Sequence, residues 1–123
     1  MIGDFGCGEA QILEEFGDRR VYSFDHIAIH DKTTACDMKS TGLPDEAIDI
    51  AIFSLSLMGR NWDAYIAEAK RCLATGGYLL VSDTTKSLKG RLSKLRDIIK
   101  KQGFEIYSDE EKGDFTFIEA REI

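Results

Sequence analysis

Met1-Ile2-Gly3-Asp4-Phe5-Gly6-Cys7-Gly8 decides how this chain is read. An apolar start breaks into two glycines one residue apart, and Glu9 then opens a helical pattern. That is the signature of a buried parallel strand turning into a helix. Glycine lets the backbone turn sharply and approach a ligand where any Cβ would collide. Many αβ proteins turn a strand this way, so a plain tight turn is the bland reading. Two details narrow it. Gln11 stands where a dinucleotide fingerprint places its third small residue, so the close helix–strand contact of that fingerprint is missing. Asp4 precedes the glycines, a poor neighbour for a pyrophosphate and a good one for an ammonium group. S-adenosylmethionine carries an ammonium and a sulfonium and no phosphate, and the stretch favours it over a dinucleotide.

Beyond the turn, Ala10, Ile12, Leu13 and Phe16 keep helical spacing until Gly17. Val21 to Asp25 reads as a short strand ending in an acid. Ligands of parallel αβ folds bind past the carboxyl ends of the strands, so Asp25 stands at the correct edge. It follows Gly8 by 17 residues, near the spacing at which an acid accepts hydrogen bonds from a ribose diol. A helix cap or a solvated turn is the alternative. Only residues 26–32 separate Asp25 from the next strand, Thr33 to Cys36, so the second crossover helix is reduced or missing. His26 and His30, beside Asp25 and Asp31, are four residues apart, but that spacing binds metal only on a real helix; they read as loop histidines and no metal site is expected.

Asp37-Met38 closes the third strand. A carboxylate and a thioether suit an adenine pocket, and a capping acid with a core methionine suits the sequence equally well. Ile48 to Phe53 is the most strand-like run, and its carboxyl end, Ser54 to Gly59, faces the expected reacting centre. Asn61 can cap a helix with the apolar stripe Trp62, Tyr65, Ile66, Ala69, Cys72 and Leu73. Gly76-Gly77 reads as the end of that helix, and Tyr78 to Val81 as the next buried strand. Leu88, Leu92, Leu95 and Ile99 mark one further helix. Phe104 to Tyr107 and Phe115 to Ala120 read as a closing antiparallel pair. The whole is an α/β, Rossmann-like sheet of seven strands, mostly parallel, with a C-terminal hairpin.

Composition bounds the function. The 123 residues suffice for a single domain, residues 1–123, and 43% hydrophobic content can bury a core. A net charge of −6 argues against a generally basic nucleic-acid protein. The charge is uneven, however. Residues 86–102 hold seven bases (Lys86, Lys89, Arg91, Lys94, Arg96, Lys100 and Lys101) against one acid, Asp97. Such a run is either the solvated face of an amphipathic helix or a surface for RNA phosphates. Three cysteines, far apart and odd in number, give neither a disulfide framework nor a zinc site. No apolar run approaches membrane length, and the charged, glycine-punctuated start does not read as a signal peptide.

Together, the glycine turn, the strand-end acid Asp25, Asp37-Met38 and the terminal hairpin resemble a class I S-adenosylmethionine-dependent methyltransferase. Asp4-Phe5-Gly6-Cys7-Gly8, Phe24-Asp25, Cys36-Asp37-Met38 and above all Phe53-Ser54-Leu55-Ser56-Leu57-Met58-Gly59, followed by Asn61, resemble the ribosomal RNA-processing protein 8 family, also called nucleomethylin. The resemblance covers essentially the whole chain. It implies methylation of ring nitrogen 1 of an adenosine in large-subunit ribosomal RNA, in the nucleolus of the nucleus, with S-adenosylhomocysteine as product. It also implies that Asp4, Gly6 and Gly8 border the cofactor, with Gly6 and Asp25 meeting its methionine and ribose parts. Asp37 and Met38 then hold the adenine, and Ser54 lines the methyl-transfer side. Family members carry a segment before the first strand that helps cover the cofactor, and this chain is expected to lack it.

Two readings compete with an RNA methyltransferase. One is a catalytically weak cofactor-binding module that acts by interaction, with a protein partner or self-association on an uncovered face. The other is a protein or small-molecule methyltransferase sharing the core. The Asp/Asn-Pro-Pro-aromatic run of enzymes that methylate exocyclic amines is absent, since Ser54-Leu55-Ser56-Leu57 occupies that position. A ring nitrogen needs no such run, because it attacks with its own lone pair.

Overall fold

The computed structural model describes residues 1–5, 21–25, 33–35, 41–54 and 62–123. Their strands form one seven-stranded sheet. Strands β1 (Ile2–Phe5), β2 (Val21–Asp25), β3 (Thr33–Ala35) and β4 (Ile48–Ser54) come first. Helix α1 (Trp62–Cys72) leads into β5 (Leu73–Thr84). Helices α2 (Thr85–Leu88) and α3 (Leu92–Lys101) precede the hairpin of β6 (Phe104–Lys112) and β7 (Phe115–Glu122). The spatial order is β3-β2-β1-β4-β5-β7-β6. Strands β1 to β5 pair in parallel; β7 runs antiparallel to both β5 and β6. The topology is the one expected from the sequence, down to the terminal hairpin.

The described core lies on the face covered by α1 and α3. Alternate residues of β5 (Leu79, Val81) and β7 (Ile118, Ala120) meet Ile66, Ala69 and Cys72 of α1 and Leu95, Ile98 and Ile99 of α3. The periods of 2 and 3.6 residues in the sequence are what bring these side chains to one interface. The opposite face of β5, β6 and β7 shows Tyr78, Tyr107 and Phe117, each more than a third exposed.

Three expectations change. The glycine pair does not end the helix, because α1 stops at Cys72 and Leu73 already pairs with Ile48. Residues 74–77 are then an insertion, and regular pairing resumes at Tyr78 opposite Ile50. Gly76 takes φ of +76° within it, a conformation that glycine adopts without a steric penalty. Strand β5 also runs past Val81 to Thr84. Finally, the basic run from Lys86 to Lys101 is two helices, because Gly90 turns left-handed (φ +77°) between Leu88 and Leu92. The helix expected after Gly8, the reduced crossover at 26–32 and the histidines His26 and His30 lie outside the described residues.

Candidate active site at the carboxyl edge of the sheet

Parallel pairing puts the carboxyl ends of β1, β2, β3 and β4 along one edge. Phe5 is level with Phe24 of β2 and with Phe53 of β4. Asp25 and Ser54 are therefore each one step further out, flanking the point where the chain leaves β1 for Gly6 and Gly8. With one strand between them, they stand roughly 10 Å apart along the edge. Asp4 lies one residue before the end of β1. Asp37 and Met38 follow β3 by two and three residues in sequence. They lie outside the described residues, as do Gly6 and Gly8. The sheet thus orders the expected positions along its edge as β3, β2, β1, β4.

The exit from the Asp37-Met38 segment is fastened from behind. Thr41, three residues past Met38, donates to the Glu68 carboxylate from its backbone nitrogen and from its hydroxyl, both at 2.8 Å. Arg71 holds the same carboxylate with two nitrogens, at 2.6 and 2.7 Å, and reaches Asp45 at 2.7 Å. Burial pushes the Glu68 carboxyl up. The hydrogen bonds from Arg71 and Thr41 outweigh it and bring the pKa down to about 2. Arg71 is raised by Glu68 first and Asp45 second. The Cys72 thiol beside them is raised by burial, which suits a core thiol and not a nucleophile.

On the far side of the edge, β5 ends in Asp83-Thr84 and passes directly into α2. Thr84 caps that turn, its hydroxyl accepting from the Ser87 nitrogen at 3.2 Å. A groove of about 470 Å³ opens here, with Thr85, Lys86, Lys89, Glu111 and Thr116 in its walls. Not all the bases of the run are free to meet a ligand. Arg91 stacks over Trp62 at 4.8 Å and donates to the Ser87 carbonyl, while Arg96 is paired with Asp109. Lys86, Lys89, Lys94, Lys100 and Lys101 face solvent. They do not share one site, since Phe104, three residues past Lys101, opens β6 opposite Glu122 at the amino half of β5. Only Lys86 and Lys89 border the carboxyl edge.

Two residues of this region were not singled out in sequence. Glu68 reads as a surface position of α1, and its partner Thr41 is 27 residues away. Asp83 is the penultimate residue of β5, two residues past the apolar run that marked the strand in sequence. Among the described residues no group of His, Cys, Asp or Glu is arranged to hold a metal. No helix among them is long and apolar enough to cross a membrane.

Comparison with known proteins bears on what this edge does. A family model described as "Hypothetical methyltransferase" matches residues 1–123. The chain belongs to this methyltransferase family. It is 39% identical over 132 residues to the "25S rRNA (adenine(645)-N(1))-methyltransferase" of Schizosaccharomyces pombe, covering 100% of this chain and 40% of that protein. It is 37% identical over 124 residues to "Ribosomal RNA-processing protein 8" of Dictyostelium discoideum, covering 99% of this chain and 32% of that one. The chain therefore spans 32–40% of these relatives' length. In structure it resembles an S-adenosylmethionine-dependent methyltransferase of Methanosarcina mazei, with a TM-score of 0.82 at 16% identity over 99% of this chain and 92% of that one. This last likeness establishes the class I methyltransferase fold, as read from the sequence.

Proposed function

We propose that this chain is the cofactor-binding and catalytic core of an S-adenosylmethionine-dependent RNA methyltransferase that modifies ring nitrogen 1 of an adenosine in large-subunit ribosomal RNA. Among eukaryotes that assigns it to the nucleolus. The similarity to the fission-yeast adenine-N1 methyltransferase over the full chain is the observation that carries the reading. The carboxyl edge is compatible with it, because Asp4, Asp25 and Ser54 fall on adjacent strand ends in the order the cofactor's parts require. Gly6, Gly8, Asp37 and Met38 are proposed to complete the cofactor contacts.

When bound, the cofactor supplies an electrophilic methyl group on a positively charged sulfur. The chain's contribution is chiefly alignment. Asp25 would hold the ribose end on one side of β1, and Ser54 would line the methyl-transfer side on the other. Holding two reactants in line is worth on the order of 7–11 kcal/mol of the barrier. A ring nitrogen attacks through its own lone pair, so no general base is needed at the bond-forming step. Lys86 and Lys89 border the same edge and are the bases placed to take phosphates of the incoming RNA.

Transfer of a tritiated methyl group from S-adenosylmethionine to ribosomal RNA, followed by nucleoside analysis, tests the reading. Label in 1-methyladenosine is expected. Asp25→Ala and Asp37→Ala are each expected to weaken S-adenosylhomocysteine binding, since each leaves polar ligand groups unpaired. Label found only in protein or in a small molecule overturns the substrate.

A further inference from the structure

We propose that the groove between α2 and the β6–β7 hairpin binds a nucleotide that flanks the target adenosine. Lys86 and Lys89 hold its phosphates, Glu111 reads the pairing edge of its base, and guanine is the base that fits best. The proposal deepens the function proposed above and rests on it. The groove encloses about 470 Å³, within the range of roughly 300–1,000 Å³ that holds small organic ligands. Its floor is apolar, with Leu88 buried and Leu92 half-buried. Lys86 and Lys89 reach it from the helix side and Glu111 from the sheet, all three exposed. None of the three has an ion-pair partner among the described residues, although Asp109 and Glu110 beside Glu111 do, in Arg96 and Lys112. Opposite charges thus line one open groove without closing on each other.

The walls are fixed before any ligand arrives. The Thr85 nitrogen donates to the Asp114 carbonyl at 2.8 Å, and the Thr85 and Thr116 hydroxyls meet at 2.9 Å, which ties α2 to the hairpin. Gly90, with φ of +77°, turns the chain toward α3 and leaves open space where a Cβ would stand. Position says what the groove takes. Glu111 pairs with Thr116, which pairs with Asp83, so Glu111 lies three strands from β4, about 14 Å across the sheet. Thr116 belongs to the helix-covered face, whereas Ser82, level with Ser54, alternates to the other. The groove is therefore too far from Ser54 for the target base itself and suits a neighbour of it along the strand.

The ligand has to satisfy both charges. An acidic peptide would meet the lysines and be repelled by Glu111, and a basic peptide would meet the reverse. A nucleotide carries phosphate and N–H donors in one unit. A carboxylate has two acceptor oxygens and no donor. Guanine presents two N–H groups side by side, from N1 and from the amine on C2, and so fills both oxygens. Adenine and cytosine each offer one amine next to a ring acceptor. Uracil offers one N–H between two carbonyl oxygens, which the carboxylate repels. The phosphate contacts position the strand whatever its sequence, and the base contact reads it.

Short single-stranded RNAs with a central adenosine in a uridine background test this, one flanking base at a time being changed to guanosine. Their binding to the full chain with S-adenosylhomocysteine present is read by fluorescence anisotropy. At one flanking position guanosine is expected to bind roughly fivefold to tenfold tighter than uridine, the lower part of the range for a bidentate base contact. Glu111→Gln puts an NH₂ where an acceptor stood and should abolish that preference, with the melting temperature unchanged. Replacing Lys86 and Lys89 by glutamine should weaken every RNA alike and keep the preference. A preference at no position, or one that survives Glu111→Gln, overturns the proposal. RNA binding indifferent to all three substitutions also overturns it and leaves the groove to a protein segment. Methyl transfer to the same RNAs separates this site from the function proposed above. A preference that depends on Glu111 without any 1-methyladenosine upholds the nucleotide site and overturns the adenine reading; 1-methyladenosine with no such preference does the reverse.

Discussion

The Glu68 carboxylate accepts both hydrogen bonds that Thr41 offers it, one from the backbone nitrogen and one from the hydroxyl, each 2.8 Å long. A side chain of α1 thereby fixes a loop between β3 and β4, and Arg71 clamps the same carboxylate from the helix side.

A pH dependence follows. Glu68 has its pKa lowered from 4.5 to about 2 in the folded chain. A depressed carboxyl contributes stability that is present above its unfolded value and lost as pH falls toward the folded one. The contribution, on the order of 3 kcal/mol when complete, is expected to be full above pH 4.5 and to fade between there and about pH 2. Glu68→Gln is expected to cost about 2 kcal/mol at neutral pH and to flatten this part of the profile. Urea unfolding of both proteins between pH 2 and 7 measures it. Parallel wild-type and variant curves would show that Glu68 does not carry the acid sensitivity.

Gly77 is required for space. A Cβ there would lie 2.9 Å from the carbonyl oxygens of both Ala74 and Asp49, and 3.0 Å from a Leu73 methyl. The two oxygens are backbone atoms of the insertion and of the strand it packs on, so they cannot yield without moving the β4–β5 register. Gly77→Ala is expected to destabilise by about 1–3 kcal/mol, read as a lower melting temperature. A matched Gly113→Ala, where no atom lies within 4 Å of the added Cβ, should cost less, and only through its φ of +60°.

The lysines around the two short helices are expected to divide by position. Replacing Lys86 and Lys89 by glutamine should weaken RNA binding and make its salt dependence shallower by nearly 2 in logarithmic slope, about one per phosphate contact. Replacing Lys100 and Lys101 should leave the slope unchanged, because they lie toward the opposite edge. Filter binding across a salt series separates the two. Equal slopes for the two double variants would mean that RNA does not enter over the carboxyl edge.

Much of this was legible in the sequence because it was local. Alternation gave Val21 to Asp25 as a strand with its ends correct, and the spacing of Trp62, Tyr65, Ile66 and Ala69 gave α1 and its buried face. Acids closing strands pointed to the ligand edge. What escaped was long-range or depended on backbone torsion. Nothing near Glu68 announces a partner 27 residues away. Leu88 and Leu92 are four apart, so they fit one helix until Gly90 takes a positive φ between them. The apolar run Tyr78 to Val81 marks only part of its strand, and the pairing of Ser82, Asp83 and Thr84 with Phe117, Thr116 and Phe115 extends β5 beyond it.

Strand β7 lies inside the sheet, between β5 and β6, although β6 precedes it in the chain. Among the described residues β6 has no other strand beside it, so all its strand pairing is with the strand made after it. A frameshift or a protease that removed the chain from Phe115 onward would therefore cost two strands while deleting one. It would leave β5 with a bare row of amide and carbonyl groups and the buried face of α3 without Ile118 and Ala120 beneath it. Such a raw edge is a template for pairing with other chains. Loss of this short terminal piece is thus expected to send the protein into aggregates and degradation, a failure that an activity assay alone would mistake for a damaged catalytic centre.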